Sequence, residues 1–104
     1  VTVVVQKMRT VDVPTGFTPN NDGTNDRLRV HGREGTRVTM FRVYDRWGEL
    51  LFETGDFMVN DENNGWDGTF RGEPMSAGVY IWYAEVEYID GMTETLNGQT
   101  TLIR

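Results

Sequence analysis

The chain has 104 residues, a formal net charge of −6 and no cysteine, and these properties exclude several classes of protein. A chain of this length is large enough for one domain with one core. Without cysteine, a disulfide framework, a thiolate metal site and a cysteine nucleophile are all excluded. The acidic balance argues against nucleic acid or an anionic membrane surface as partner, because both require basic patches.

The ends of the sequence bear on what surrounds the domain. No apolar run approaches the roughly 20 residues of a membrane span, and no signal peptide opens the chain. The first residue is Val1 rather than Met, so we expect the chain to be part of a longer protein whose export signal could lie upstream. Residues 1–13 predict one bent strand, two short strands, or the last strand of a preceding domain followed by a linker. Residues 14–104 then form the domain itself.

Short β-branched and aromatic runs between turn signals predict strands along the rest of the chain. The alternation of residues 27–31 is typical of a half-buried strand. Residues 38–44 form a longer strand whose phase slips near Met40-Phe41, where a β-bulge is expected. The turn at 45–48 then leads into a second strand at 49–53, which predicts a hairpin.

The last third of the chain contains the longest predicted strand, residues 79–88, whose aromatic and β-branched content predicts a central position. Asp90-Gly91 predicts a hairpin after it. We expect Asn97-Gly98 to bend the chain again, before a last strand at 100–104. Regularly spaced short strands without helical periodicity predict an all-β fold, an antiparallel immunoglobulin-like β-sandwich of about seven to eight short strands.

The polar loop that begins at Phe17 has the composition of either a rigid turn or a calcium site. Oxygen-bearing side chains surround Gly23 at a spacing close to the start of a calcium loop. The twelfth position is Arg29, where an EF-hand requires glutamate, so an EF-hand is excluded. Two interpretations stay open: a turn held by Asx hydrogen bonds and a shorter calcium loop. The ligands of the latter would be Thr18, Asn20, Asp22, Thr24 and Asp26.

The residues that catalysis requires are scarce. The sequence has one histidine, His31, and one serine, Ser76, so a nucleophilic triad is implausible. A second acidic loop at 61–64 is typical of a solvated loop and is the only other candidate for cation ligands. We therefore predict that the chain is not an enzyme.

Five motifs occur along the chain in a specific order. They are Phe17-Thr18-Pro19-Asn20-Asn21-Asp22-Gly23-Thr24-Asn25-Asp26, Tyr44-Asp45-Arg46-Trp47-Gly48-Glu49, Gly65-Trp66-Asp67-Gly68, Ala77-Gly78-Val79-Tyr80, and Gly98 through Thr101-Leu102-Ile103-Arg104. In this order the chain resembles the gliding-motility-associated C-terminal domain of Bacteroidetes proteins, over about residues 14–104.

The resemblance implies a type B C-terminal sorting domain of the type IX secretion system, carried by large exported adhesins, enzymes and motility proteins. In such a family the cargo crosses the inner membrane by a Sec signal and folds in the periplasm. It then passes the outer membrane because its folded terminal domain is recognised. The implied partners are the type IX secretion machinery and a dedicated outer-membrane partner protein, and the implied location is the cell surface or the medium. We expect a monomer without a small-molecule substrate. The alternative is a calcium-stabilised structural or adhesive module of a surface protein.

The motif residues divide into structural and recognition candidates. We expect structural roles for those that shape turns or fill the core: Phe17, Pro19, Gly23, Trp66, Asp67, Gly68, Gly78 and Tyr80. Because large aromatics beside glycine commonly seal the ends of a sandwich, Trp47 is also expected to be a plug, and Arg46 is expected to form an internal ion pair. A signal that is read on a folded domain nevertheless needs an exposed feature. The candidates are the loop from Asn20 to Asp26, the turn of Arg46, Trp47 and Gly48, and the last strand with Thr101, Leu102, Ile103 and Arg104, whose edge could dock by β-augmentation.

Overall fold

A computed structural model describes residues 11–19, 26–61 and 63–104. Within these ranges the chain is all-β, as predicted, and contains no helix that could cross a membrane. The strands are β1 (Val11–Asp12), β2 (Gly16–Phe17), β3 (His31–Gly32), β4 (Arg37–Tyr44), β5 (Leu50–Thr54), β6 (Phe57–Met58), β7 (Thr69–Phe70), β8 (Glu73–Pro74), β9 (Gly78–Glu87) and β10 (Thr93–Leu102).

The main sheet has the order β2-β10-β9-β4-β5, and β6 is also paired with β4. Strand β9 lies in the middle, with β10 hydrogen-bonded along one side and β4 along the other. Its β-branched and aromatic side chains suit a position that is paired on both edges. The predicted central strand is therefore confirmed, and so is the hairpin after it, where the Gly91 amide donates to the Tyr88 carbonyl at 2.9 Å.

The remaining pairings are short. Strand β1 pairs with β3, and β7 pairs with β8, each as an antiparallel two-stranded ribbon. The β2–β10 pair differs from the other strand pairs because it is parallel, with Gly16 opposite Thr101. This parallel pair brings the beginning of the described chain beside its end.

The core lies between the inner face of the main sheet and a second layer of short strands and loops, an arrangement consistent with a β-sandwich. Outside the main sheet, Leu28 and Trp66 form an isolated antiparallel bridge, and their backbone groups exchange hydrogen bonds of 2.8 and 3.0 Å. Side chains from both layers are buried: Val13, Phe17, Leu28, Val30, Val38, Phe41, Val43, Leu51, Phe57, Val59, Trp66, Tyr80, Trp82, Ala84, Val86, Tyr88 and Leu102.

Two details of strand geometry differ from expectation. The register of β4 against β9 shifts between Val38 and Met40, so the predicted bulge exists but lies slightly earlier. The predicted bend at Asn97-Gly98 is wrong, because β10 continues through both residues. Gly98 lies opposite Trp82, and a Cβ atom at Gly98 would approach the Trp82 indole to 2.8 Å. The glycine therefore makes room for an aromatic ring within a strand, a known use of strand glycine.

Candidate functional site

The aromatic cluster around Trp66 holds one end of the sandwich together. The Trp66 ring lies 5.6 Å from that of Phe17 and 5.1 Å from that of Tyr80, in tilted and edge-to-face arrangements. Its indole N–H donates to the Thr69 carbonyl at 2.8 Å, and the residue is fully buried. Asp67 accepts hydrogen bonds from the amide and hydroxyl of Thr69. The predicted burial of Trp66 and Tyr80 is confirmed.

The turn that joins β4 to β5 presents the other motif tryptophan to solvent. The Asp45 carboxylate accepts hydrogen bonds from the Trp47 and Glu49 amides, both at 2.9 Å, and Gly48 takes a φ of 88°. Trp47 is 83% exposed. The expectation that Trp47 plugs the core is therefore wrong, because its ring lies in solvent beside the Arg46 guanidinium.

The expected internal ion pair of Arg46 is also absent among the described residues. The Arg46 guanidinium instead lies 5.7 Å from the centroid of the Trp47 ring, a cation–π contact between neighbours. In contrast, Arg42 on β4 pairs with Glu53 on β5 at 2.6 Å. The exposed turn therefore carries an aromatic ring and a cation that has no described salt-bridge partner.

A cleft lies between this turn and the segment that leads into β9. Its volume is about 180 Å³, and its walls are Asp45, Arg46, Trp47, Met75, Ser76, Ala77, Gly78, Val79 and Tyr80. The Tyr80 hydroxyl donates to the Ser76 carbonyl at 2.6 Å. Burial raises the pKa of Tyr80 above its ordinary value. The cleft is smaller than the roughly 300–1,000 Å³ of typical small-molecule sites.

Beyond the cleft, the outer face of the main sheet is unusually apolar along β9. The outward side chains of this strand are Val79, Ile81 and Tyr83 near the cleft, and Glu85 and Glu87 at the far end. Antiparallel sheets with one solvated face normally alternate apolar and polar residues. Sequence reasoning missed these outward residues, although the unbroken apolar run from Val79 to Ala84 is the signal that could have identified them.

The last strand does not offer the free edge that was expected. Its end is enclosed because the Thr101 amide donates to the Thr15 carbonyl and the Ile103 amide to the Phe17 carbonyl, both at 2.9 Å. Leu102 is fully buried. Arg104 donates from Nε to the Met75 carbonyl at 2.7 Å. The prediction that the edge at 100–104 docks a partner by β-augmentation is therefore wrong, since that edge already pairs with β2.

The predicted calcium loop is not described beyond its two ends. Asn20, Asp22, Gly23 and Thr24 lie outside the described residues, so the calcium site stays a prediction. Within the described residues no group of His, Cys, Asp or Glu has the arrangement to hold a metal ion. In the second acidic loop, the Asp61 carboxylate accepts hydrogen bonds from the Asn63 amide and the Asn64 side chain.

The motif glycines of the two turns differ in their surroundings. Gly68 has a φ of 83°, and a Cβ atom there would approach Leu102 and Pro19 to 3.1 Å. Gly48 has a similar φ but open space around its Cα. Gly68 is thus needed for backbone conformation and for packing, and Gly48 only for backbone conformation.

These features describe a β-sandwich with an exposed aromatic turn, a small cleft and an apolar sheet face. Such features are typical of domains that bind other proteins. The family model of the CHU_C type IX secretion signal domain matches residues 11–102. No match was found among curated proteins. The chain belongs to the type IX secretion signal domain family, as its motifs predicted. It is a secretion signal that interacts with the type IX machinery and directs export to the cell surface or medium.

Proposed function

We propose that this domain is recognised in its folded state, in the periplasm, by a dedicated outer-membrane partner protein. This partner passes the attached cargo to the type IX translocon. The observation that carries the proposal is the extent of the family match. It begins at Val11, the first residue of β1, and ends at Leu102, the last residue of β10. A match that includes every described strand favours recognition of the whole fold rather than of a short linear peptide.

One further feature supports a binding role without catalysis. Three turn carboxylates, those of Asp45, Asp61 and Asp67, each accept hydrogen bonds within their own turn. A general acid or base requires access to a substrate proton. In this proposal the domain is a monomeric recognition signal that contributes contacts, and any catalytic activity belongs to the cargo.

Export of a passenger protein tests this proposal. Residues 11–104 are fused to the end of a periplasm-directed fluorescent protein and expressed in a type IX-competent Bacteroidetes host that carries the candidate outer-membrane partner. We expect fluorescence at the surface or in the medium, and its loss in a translocon-null strain and in a strain without the partner. A folded fusion that stays in the periplasm of the competent host would contradict the proposal. The matched control is the passenger without the domain.

A further inference from the structure

The exposed apolar side chains of this domain are concentrated on one surface. Large hydrophobic residues are exposed at nine described positions. Five of them surround the cleft and continue along the outer sheet face: Trp47, Leu50, Val79, Ile81 and Tyr83, which we call the Trp47 face. Contiguous apolar patches of this kind mark sites of interaction on soluble proteins, whereas single exposed hydrophobic residues need no explanation.

The strand register shows that the Trp47 face is continuous. Ile81 lies opposite Tyr44, and Tyr44 lies opposite Leu50, so the outward side chains of β9, β4 and β5 form one row across the sheet. Val79, two residues before Ile81, lines the same cleft as Trp47. The row on the sheet and the tryptophan on the turn therefore border one surface.

The Trp47 face is rigid, which lowers the cost of binding. Strand β9 is paired on both edges, and the turn under Trp47 is fixed by the two hydrogen bonds to the Asp45 carboxylate. A partner would therefore not have to order this surface, and ordering is one of the main costs of association. Tryptophan and arginine are also the residue types most enriched among those that dominate binding energy.

The cleft and the charges indicate what kind of partner fits. A volume of about 180 Å³ suits one inserted apolar side chain better than a small molecule, whose sites are typically larger. Arg46 has no ion pair among the described residues, whereas Arg42 on the same sheet is paired with Glu53. The chain as a whole has a charge of −6, so a second copy would be repelled at long range. A different protein with a local carboxylate would complement Arg46.

We infer that the Trp47 face is the surface that the outer-membrane partner protein reads, by placing an apolar side chain in the cleft and a carboxylate against Arg46. This inference rests on the proposed function and gives it a location. The walls of the cleft are formed by the turn between β4 and β5 and by residues 75–80, which are distant in sequence, so the surface exists only in the folded domain.

Secretion of variants in the passenger fusion tests the inference. We expect Trp47→Ser and Ile81→Thr each to reduce the secreted fraction by about tenfold or more, the effect of removing one dominant contact. Ile89→Ser and Met92→Ser are the matched controls, because they remove exposed apolar side chains at the hairpin between β9 and β10. They are expected to be secreted like the wild type. Thermal melting of each purified fusion verifies that the domain is folded.

Each outcome separates the inference from the proposed function. If the wild-type fusion is secreted only with an intact translocon, while the folded Trp47→Ser and Ile81→Thr variants are secreted equally well, the Trp47 face is not the surface that is read and the proposed function stands. If the wild type itself is not exported, the proposed function fails. If all four variants lose export equally, the effect is not specific to the Trp47 face and the inference fails.

Two additional measurements address the chemistry of the partner. Arg46→Glu is expected to reduce secretion and Arg46→Lys to retain most of it, because a carboxylate on the partner would repel the first and attract the second. Equal secretion of both would overturn the carboxylate contact.

Light scattering of the wild-type domain is expected to give a monomer. A dimer that dissociates with Trp47→Ser would instead assign the Trp47 face to a second copy of the chain.

Discussion

Trp66 and Trp47 each lie within two residues of an aspartate and a glycine, but their surroundings are opposite. Trp66 contacts Phe17 and Tyr80 and is fully buried, whereas Trp47 contacts the guanidinium of its neighbour and is 83% exposed. In both turns the aspartate caps backbone amides. Local hydrogen bonds to the aspartate therefore set the shape of the loop, while the burial of its aromatic side chain depends on whether another layer covers it.

The largest expected difference between the two regions is in stability. Trp66→Ala should reduce the free energy of unfolding by about 3–5 kcal/mol, because it leaves a cavity in the aromatic cluster. Trp47→Ala should change it by no more than about 0.5 kcal/mol, since an exposed side chain contributes little to folding. Urea denaturation followed by far-UV circular dichroism measures both. Equal losses would show that the two tryptophans do not divide structure and recognition between them.

Substitution of the glycines gives a second, smaller difference in stability between the two regions. Gly48→Ala should cost about 1–2 kcal/mol, the strain of a left-handed conformation. Gly68→Ala should cost about 2–4 kcal/mol, because a Cβ atom there also crowds Leu102 and Pro19. The midpoints of thermal or urea unfolding report the difference. A smaller loss of unfolding free energy for Gly68→Ala than for Gly48→Ala would mean that Leu102 and Pro19 move aside easily.

Tyr80 connects the two regions, because it contacts Trp66 and also lines the cleft. Tyr80→Phe should cost about 1 kcal/mol at neutral pH through loss of the hydrogen bond to Ser76. The folded state holds the Tyr80 proton more tightly than the unfolded state, since burial raises its pKa. Stability should therefore fall as pH rises above the ordinary tyrosine value of about 10.

Because phenylalanine has no proton to lose, the stability difference between the wild type and Tyr80→Phe should narrow above about pH 10. Urea denaturation at several alkaline pH values measures this difference. A difference that stays constant across the alkaline range would contradict a raised pKa of Tyr80 in the fold. Tyr83→Phe is the matched control, because it removes the hydroxyl of an outward-facing tyrosine on the same strand.

The sequence predicted the elements whose signals are local. The density of aromatic and β-branched residues in β9, and Asp90-Gly91 after it, indicated the central strand and its hairpin, and both are confirmed. The order of five motifs also indicated the family. The prediction failed at Asn97-Gly98, where a typical turn pair lies within a strand because the opposite residue, Trp82, needs space.

The candidate site was predicted only in part. The turn with Arg46 and Trp47 is one of three recognition candidates, and no local pattern favours it over the last strand. That preference came from the pairing of β2 with β10, which encloses residues 101–103. Val79, Ile81 and Tyr83 were interpreted only as parts of a central strand, because alternation within one strand does not show which face is covered.

The amino-acid sequence alone predicts an all-β domain without cysteine chemistry, built around one long aromatic strand and belonging to a family of secretion signals. These properties follow from composition, short-range propensity and motif order, which need no knowledge of distant contacts. The folded arrangement was needed to show which tryptophan is buried, which strand edge is paired and which sheet face is apolar. Each of these depends on contacts between residues far apart in the chain, where packing outweighs local preference.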